Sequence, residues 1–356
     1  MPTQMTVDGF TFLAERPQGS IVRPPILFVH GMFVGGWVWE NYLRYFAERG
    51  YPGYALTLRG HEGGATVMDL GRVSLHDFVE EAVAAARALP ASPAGAGAPG
   101  GDRPVVMGHS MGGLIAQKVA EAGAAAAAVL VCPAPPRGIN VAGPSLIVRE
   151  LKYVWPMLRS RAFAATRGDH EAITFNRIPR ERRDALFARF GRESGRAARE
   201  MALGAIAVDA GRVRCPVFVA SAADDRTVAP GVARLVARKY HAPFRCYDGH
   251  AHMLPAEPGW EGPAADIERW LTHTLHQLEH AADQDTLWTA LRARIGDVVT
   301  LRFFDGHAVR AEIVNVDHAA HRDVTYEVRE VLARGTAPAG EGTVVTASLY
   351  ELSAVE

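Results

Sequence analysis

Short unbroken apolar runs closed by turn residues set the rhythm of the first 250 positions. They are Ile26-Leu27-Phe28-Val29-His30, Tyr54-Ala55-Leu56-Thr57-Leu58, Pro104-Val105-Val106-Met107 and Ala127 to Cys132. Runs of this length without polar alternation fit strands buried on both faces of a parallel sheet. Helical periodicity fills the gaps. Residues 37 to 49 form an amphipathic stretch stopped by Gly50. Residues 74 to 89 follow Ser74 as N-cap and put Leu75, Phe78, Val79, Ala82 and Val83 on one face. The rhythm resumes with a strand at 215 to 220, a helix near 229 to 240, a strand near 244 to 247 and a helix at 258 to 280. Residues 5 to 14, with Asp8-Gly9 in the middle, read as a hairpin. Strands alternating with helices predict an α/β fold.

Two stretches break the pattern. From 137 to 211 strands disappear, and helical segments are expected at 145 to 163, 167 to 176 and 180 to 207. A helical insertion at the carboxyl ends of the strands is in position to act as a lid. It is rich in arginine, which reads first as a solvated face and second as a preference for anionic substrates. From 284 the texture changes to a short helix, LWTALRARI, and then to alternating runs rich in β-branched residues: VVTLRFF, AVRAEIVNV, VTYEVREVL and VVTASLYEL. A small SH3-like or Sm-like barrel is expected there. With seven Arg and no Lys against eleven acids, this tail is a poor phosphate binder, so self-association or docking is expected of it instead of nucleic-acid binding. The PASPAGAGAPGGDR stretch before Pro104 is a low-complexity surface loop.

Composition changes the picture little. A chain of 356 residues exceeds one ordinary domain, and 48% apolar content allows a large core. Lys and Arg number 38 against 39 acids, which argues against a global attraction to nucleic acid or anionic membrane. Cys132, Cys215 and Cys246 are odd in number and set in apolar runs, as buried thiols in a reducing compartment would be. The N-terminus lacks a basic start followed by an apolar block, and no apolar run approaches the ~20 residues of a membrane span. A cytoplasmic protein is the expectation.

The chemistry gathers at Gly108-His109-Ser110-Met111-Gly112. This G-x-S-x-G match follows a predicted strand and precedes a helix-forming run from Leu114 to Glu121. A serine on so sharp a turn presents its hydroxyl beside a helix amino end, but needs a base and a carboxylate to become a nucleophile. In an open α/β sheet these come from loops at the carboxyl ends of later strands. After the strand at 215 to 220 stand Asp224 and Asp225, with Asp225 the first choice and Asp224 the alternative. After the next strand stand His250 and His252, with His252 the first choice and His250 the alternative. Oxyanion donors are expected from the Met111 amide and from Met32, or Phe33, in the loop after the first apolar strand. Phe33, Trp155 and Met157 are candidates to line the substrate site. His273, His276 and His280 share a helix face, but no HExxH or cysteine cluster accompanies them, so no metal and no cofactor are expected.

Taken together, His30-Gly31 with Trp37-Val38-Trp39, Gly60-His61, the Ser110 motif, the Asp225 segment and the His252 segment resemble the α/β-hydrolase superfamily, in its order, over about residues 1 to 280. The resemblance implies a mostly parallel sheet flanked by helices with a helical cap at about 137 to 211, Ser110 as nucleophile, His252 as base, Asp225 as acid, and Met32 and Met111 as oxyanion donors. Alanine at 222, where the superfamily commonly has glycine, is a departure, and the barrel expected at 284 to 356 lies outside the pattern. The expected domains are thus 1 to 283 and 284 to 356. The expected activity is that of a serine carboxylesterase or lipase-like enzyme acting on a small ester with an apolar acyl group. C–C hydrolase, thioesterase, hydroxynitrile-lyase-like or cofactor-free peroxidase chemistry on the same three residues are the enzymatic alternatives, and a ligand receptor or scaffold is the non-enzymatic one.

Overall fold

The computed structural model describes residues 2–19, 23–61, 70–90, 103–139 and 151–280, and in the tail 298–302, 308–317, 325–330, 344–348 and 352–355. The first body is an eight-stranded sheet of order β1-β2-β4-β3-β5-β6-β7-β8. Its strands are β1 (Thr3–Val7), β2 (Phe10–Glu15), β3 (Ile26–Val29), β4 (Gly53–Leu56), β5 (Val105–His109), β6 (Ala127–Val131), β7 (Val217–Ala222) and β8 (Phe244–Tyr247). The β1–β2 hairpin and the β2–β4 pair are antiparallel. From β4 to β8 every pairing is parallel.

The apolar runs are continuous because the sheet is covered on both faces. Along β3, Leu27 and Val29 enter one core cluster while Ile26 and Phe28 enter the other. The first cluster takes in α2 (Leu75–Ala88), α3 (Met111–Glu121) and α8 (Pro230–Tyr240); the second takes in α1 (Glu40–Ala47) and α9 (Glu261–His280). The Ser74 hydroxyl accepts from Asp77 N while the Asp77 carboxylate accepts from Ser74 N, a reciprocal cap that fixes the start of α2. The helix expected at 37 to 49 begins instead as a 3-10 turn, Gly36–Trp39, before α1.

Between β6 and β7 the described chain runs through α4 (Val154–Leu158), α5 (Arg167–Ile173), α6 (Arg180–Phe187) and α7 (Gly195–Ala202). The helix expected from 180 to 207 is therefore two. The Ser194 hydroxyl accepts from Ala197 N and starts α7 afresh, and residues 188 to 194 between the helices form a loop that reaches the turn after β3, where Gly191 N donates to Phe33 O. The helix expected at 145 to 163 begins outside the described residues and ends early, at Leu158, before Ser160 turns left-handed at φ 49. Most of the loop before Pro104 and the helix expected at 287 to 295 also lie outside the described residues.

The tail forms an antiparallel sheet of order β12-β11-β10-β9-β13, from β9 (Val298–Arg302), β10 (Ala308–Asp317), β11 (Thr325–Glu330), β12 (Val344–Ser348) and β13 (Leu352–Val355). Among the described residues no pairing joins its two edge strands into a closed barrel. No helix of the described residues is long and apolar enough to cross a membrane.

Candidate active site

β5 ends on a strained residue. Ser110 has φ 56 and ψ −120, left-handed backbone that a side chain rarely adopts, and α3 starts at the next residue. The turn closes because its neighbours are glycines: a Cβ at Gly108 would lie 2.0 Å from the Gly112 carbonyl oxygen. The loop after β3 presses equally close, since a Cβ at Gly31 would sit 2.9 Å from the Ser110 Cβ. The elbow and the β3 loop thus share one small space at the carboxyl edge of the sheet.

The loops after β7 and β8 deliver the other two groups. The His252 Nδ1 donates to Asp225 Oδ2 at 2.8 Å, which leaves Nε2, 3.0 Å from Ser110 Oγ, as the acceptor for the serine proton. Asp225 is itself oriented, its Oδ1 accepting from Thr227 N at 2.8 Å and Val228 N at 2.9 Å. All three side chains are buried. Geometry separates them from their neighbours in sequence. The Asp224 carboxylate turns outward to Arg177, and the His250 ring lies beside Glu257, its Nδ1 3.3 Å from Oε2.

Other residues hold this line in place; His30, His61 and His109 belong to the motifs read from the sequence, but the sequence marked none of them, nor Glu257 or Glu193, as a support. Buried Glu257 accepts from Ala251 N at 2.8 Å and Met253 N at 3.0 Å, bracketing His252 from both sides. His109 donates Nε2–H to the His252 carbonyl at 2.7 Å. Burial, followed by the nearby His252, lowers the His109 pKa to about 3, so it remains a neutral tether. His30 is fixed in one tautomer, Nδ1 donating to Gly31 O at 2.8 Å and Nε2 accepting from Leu58 N at 3.1 Å. From the loop between α6 and α7, fully buried Glu193 reaches across to accept from Phe33 N at 3.2 Å and from His61 Nε2 at 3.1 Å.

Above Ser110 opens a cavity of about 740 Å³, lined by the β3 loop and by α4, α5 and α7. Met32, Phe33, Met157, Phe163, Ile173 and Met201 make most of its wall apolar. Trp155 does not belong to the lining; it is 59% exposed with the Arg159 guanidinium 4.3 Å above its ring. His170 is a polar point in the wall, its pKa lowered to about 4 by burial and its Nε2 without a hydrogen-bond partner among the described residues. Donor atoms of Cys132, Asp225 and His252 lie within 4.8 Å of one another. As metal ligands they fit poorly, because Asp225 and His252 are engaged with each other and burial, then Asp225, holds the Cys132 thiol protonated.

The comparisons agree with this architecture. The alpha/beta hydrolase family model matches residues 26–265, and the chain belongs to that family. No curated protein sequence matches it. Similar solved structures include a soluble variant of monoglyceride lipase from Saccharomyces cerevisiae, 17% identical, covering 76% of this chain and 94% of that one at a TM-score of 0.56. A thermophilic esterase from Thermogutta terrifontis is 18% identical, covering 78% and 99% at 0.54. The thioesterase domain of the curacin biosynthetic pathway is 16% identical, covering 76% and 99% at 0.52. At these identities the likeness is one of fold.

Proposed function

We propose that the chain is a serine hydrolase that cleaves carboxylic esters through an acyl-enzyme. The carrying observation is the unbroken line from Ser110 Oγ to His252 to Asp225, at 3.0 and 2.8 Å, beneath a largely apolar cavity. Ser110 Oγ attacks the ester carbonyl as His252 Nε2 takes its proton, and Asp225 stabilises the imidazolium. The Met32 and Met111 N–H groups receive the oxyanion. Collapse of the tetrahedral intermediate expels the alcohol, protonated by His252, and water then repeats the sequence against the acyl-enzyme.

Phe33 and Met157 in the wall favour an apolar acyl group, and we read the insertion at about 137 to 211 as a helical cap over it. An esterase, a lipase and a thioesterase domain among similar folds agree with acyl transfer. Three buried free thiols suit a reducing cytoplasmic setting. We read residues 1 to 283 as the catalytic domain and 284 to 356 as a separate module for self-association or docking.

The test is hydrolysis of a chain-length series of p-nitrophenyl esters by the native chain and by Ser110→Ala. Activity that vanishes in the variant supports the reading, and the optimum sizes the acyl site. If a fluorophosphonate labels Ser110 but no ester is cleaved, the same three residues serve C–C cleavage or lyase chemistry instead.

A further inference from the structure

Two consecutive amides, those of Met32 and Phe33, lie in the loop that presses against Ser110, and an oxyanion needs one of them. Phe33 is held on both sides of its peptide by the loop between α6 and α7. Its N–H donates to Glu193 Oε2 at 3.2 Å, and its carbonyl accepts from Gly191 N at 2.7 Å. This pins Phe33 in left-handed backbone, φ 64, a conformation that costs a non-glycine residue energy unless its surroundings impose it. The Met32 N–H has no acceptor among the described residues.

Glu193 is well placed to impose it. Its backbone bridges Phe163 in both directions, at 3.0 and 2.7 Å. The next residue, Ser194, donates its hydroxyl to Val73 O at 2.6 Å. The carboxylate accepts from Ser194 N at 2.6 Å on one oxygen and from Phe33 N and His61 Nε2 on the other. A fully buried carboxylate is tolerable only when so satisfied, and the His61 ring, its side chain also buried, is the ionisable partner that faces it. Burial alone would lower the pKa of His61, but the charge and hydrogen bond of Glu193 raise it.

We propose that Glu193, paired with His61, is a positioning residue that occupies the Phe33 N–H, fixes the left-handed turn and so reserves the Met32 N–H for the oxyanion. The inference rests on the serine-hydrolase reading above and names which amide serves it and what enforces the choice. It also couples the helical insertion to the chemistry, because the clamp arises 160 residues away from the amide it holds.

A purely structural Glu193 would lower stability and leave the turnover of the folded enzyme alone. A clamp predicts otherwise. Glu193→Gln keeps the shape but offers one acceptor oxygen in place of two. It is expected to lower kcat on p-nitrophenyl butyrate roughly 10- to 100-fold, with KM moving less than about threefold, because the loss falls on the transition state. The Ki of a trifluoromethyl ketone, which forms the tetrahedral oxyanion on Ser110, should rise in proportion. Should this variant fail to fold, the native chain still decides. On binding the trifluoromethyl ketone, the Met32 and Met111 amide NMR signals should shift strongly and that of Phe33 should not. Native kcat in folded Glu193→Gln, or a Phe33 amide that responds in place of Met32, overturns the proposal. Fluorophosphonate labelling of the native chain but not of Ser110→Ala separates the layers: no labelling sinks the hydrolase reading together with the clamp, whereas labelling with unchanged kcat sinks the clamp alone.

Discussion

The floor and the wall of the cavity are held by different mixtures of apolar packing and polar contact. Ser110 directly follows β5, every residue of which is buried, Val106 in one apolar layer and Val105 and Met107 in the other, so its position follows from close packing that admits little movement. The lining helices α4, α5 and α7 are short, five to eight residues each. They and the segments joining them meet the sheet domain through a few apolar anchors, Phe175 and Ile178 in one core cluster and Ala197 in the other, and through polar clasps: Arg189 bidentate to Glu40 at 2.6 and 3.0 Å, Arg177 to Asp224, and Glu193 to Phe33 and His61. On the proposed function, the more closely packed side is the one that would carry the chemistry and the side with more polar contacts is the one that would meet the substrate.

The largest expected effects fall on the floor. Ser110→Ala should take ester turnover to background, and Asp225→Asn should lower kcat about 10⁴-fold while leaving the fold intact, by presenting the wrong imidazole tautomer. Steady-state kinetics with the melting temperature as control checks both; a robustly active Asp225→Asn would move the acid elsewhere. Next comes the bracket on His252. Glu257→Gln removes part of a buried charge-assisted pair of bonds and should cost about 2 kcal/mol in chemical denaturation.

The clasp at His61 should show itself through pH. Its pKa is raised in the folded chain, so its contribution to stability is fully present below about pH 6.5 and is lost as pH rises through the higher folded value. The native chain should therefore lose more stability than His61→Gln on going from about pH 6 to about pH 9, measured by urea titration; equal losses would show the pair is not titrating. The smallest effect belongs to the exposed clasp. Arg177→Ala should cost less than about 1 kcal/mol, shrinking further in high salt, with kcat unchanged. A large loss there would erase the contrast between wall and floor.

Much of the floor was legible because its signals are local. A buried parallel strand reads as an apolar run, a strained elbow reads as glycines around a serine, and Ser74 announces α2 through a cap three residues long. The choice between Asp224 and Asp225 was less so, since both occupy one turn and differ only in which way they face. Glu257, His109 and Glu193 were not legible as supports, because a carboxylate or imidazole in the sequence carries no mark of the amide it will meet. The single helix expected from 180 to 207 failed because Gly191 and the Ser194-Gly195 cap interrupt it locally, and the reach of Glu193 to the β3 loop, a tertiary requirement, makes use of that break.

By itself, then, the sequence determined the alternation of strands and helices, the serine elbow and the order in which serine, acid and histidine follow one another, all of which depend on hydrophobic period and turn chemistry within a few residues. Tertiary structure alone decided which aspartate and histidine line up with Ser110, that Trp155 leaves the cavity wall, and that a glutamate 160 residues downstream takes the Phe33 amide. Those outcomes depend on distances between segments remote in the chain, which only the packed fold sets.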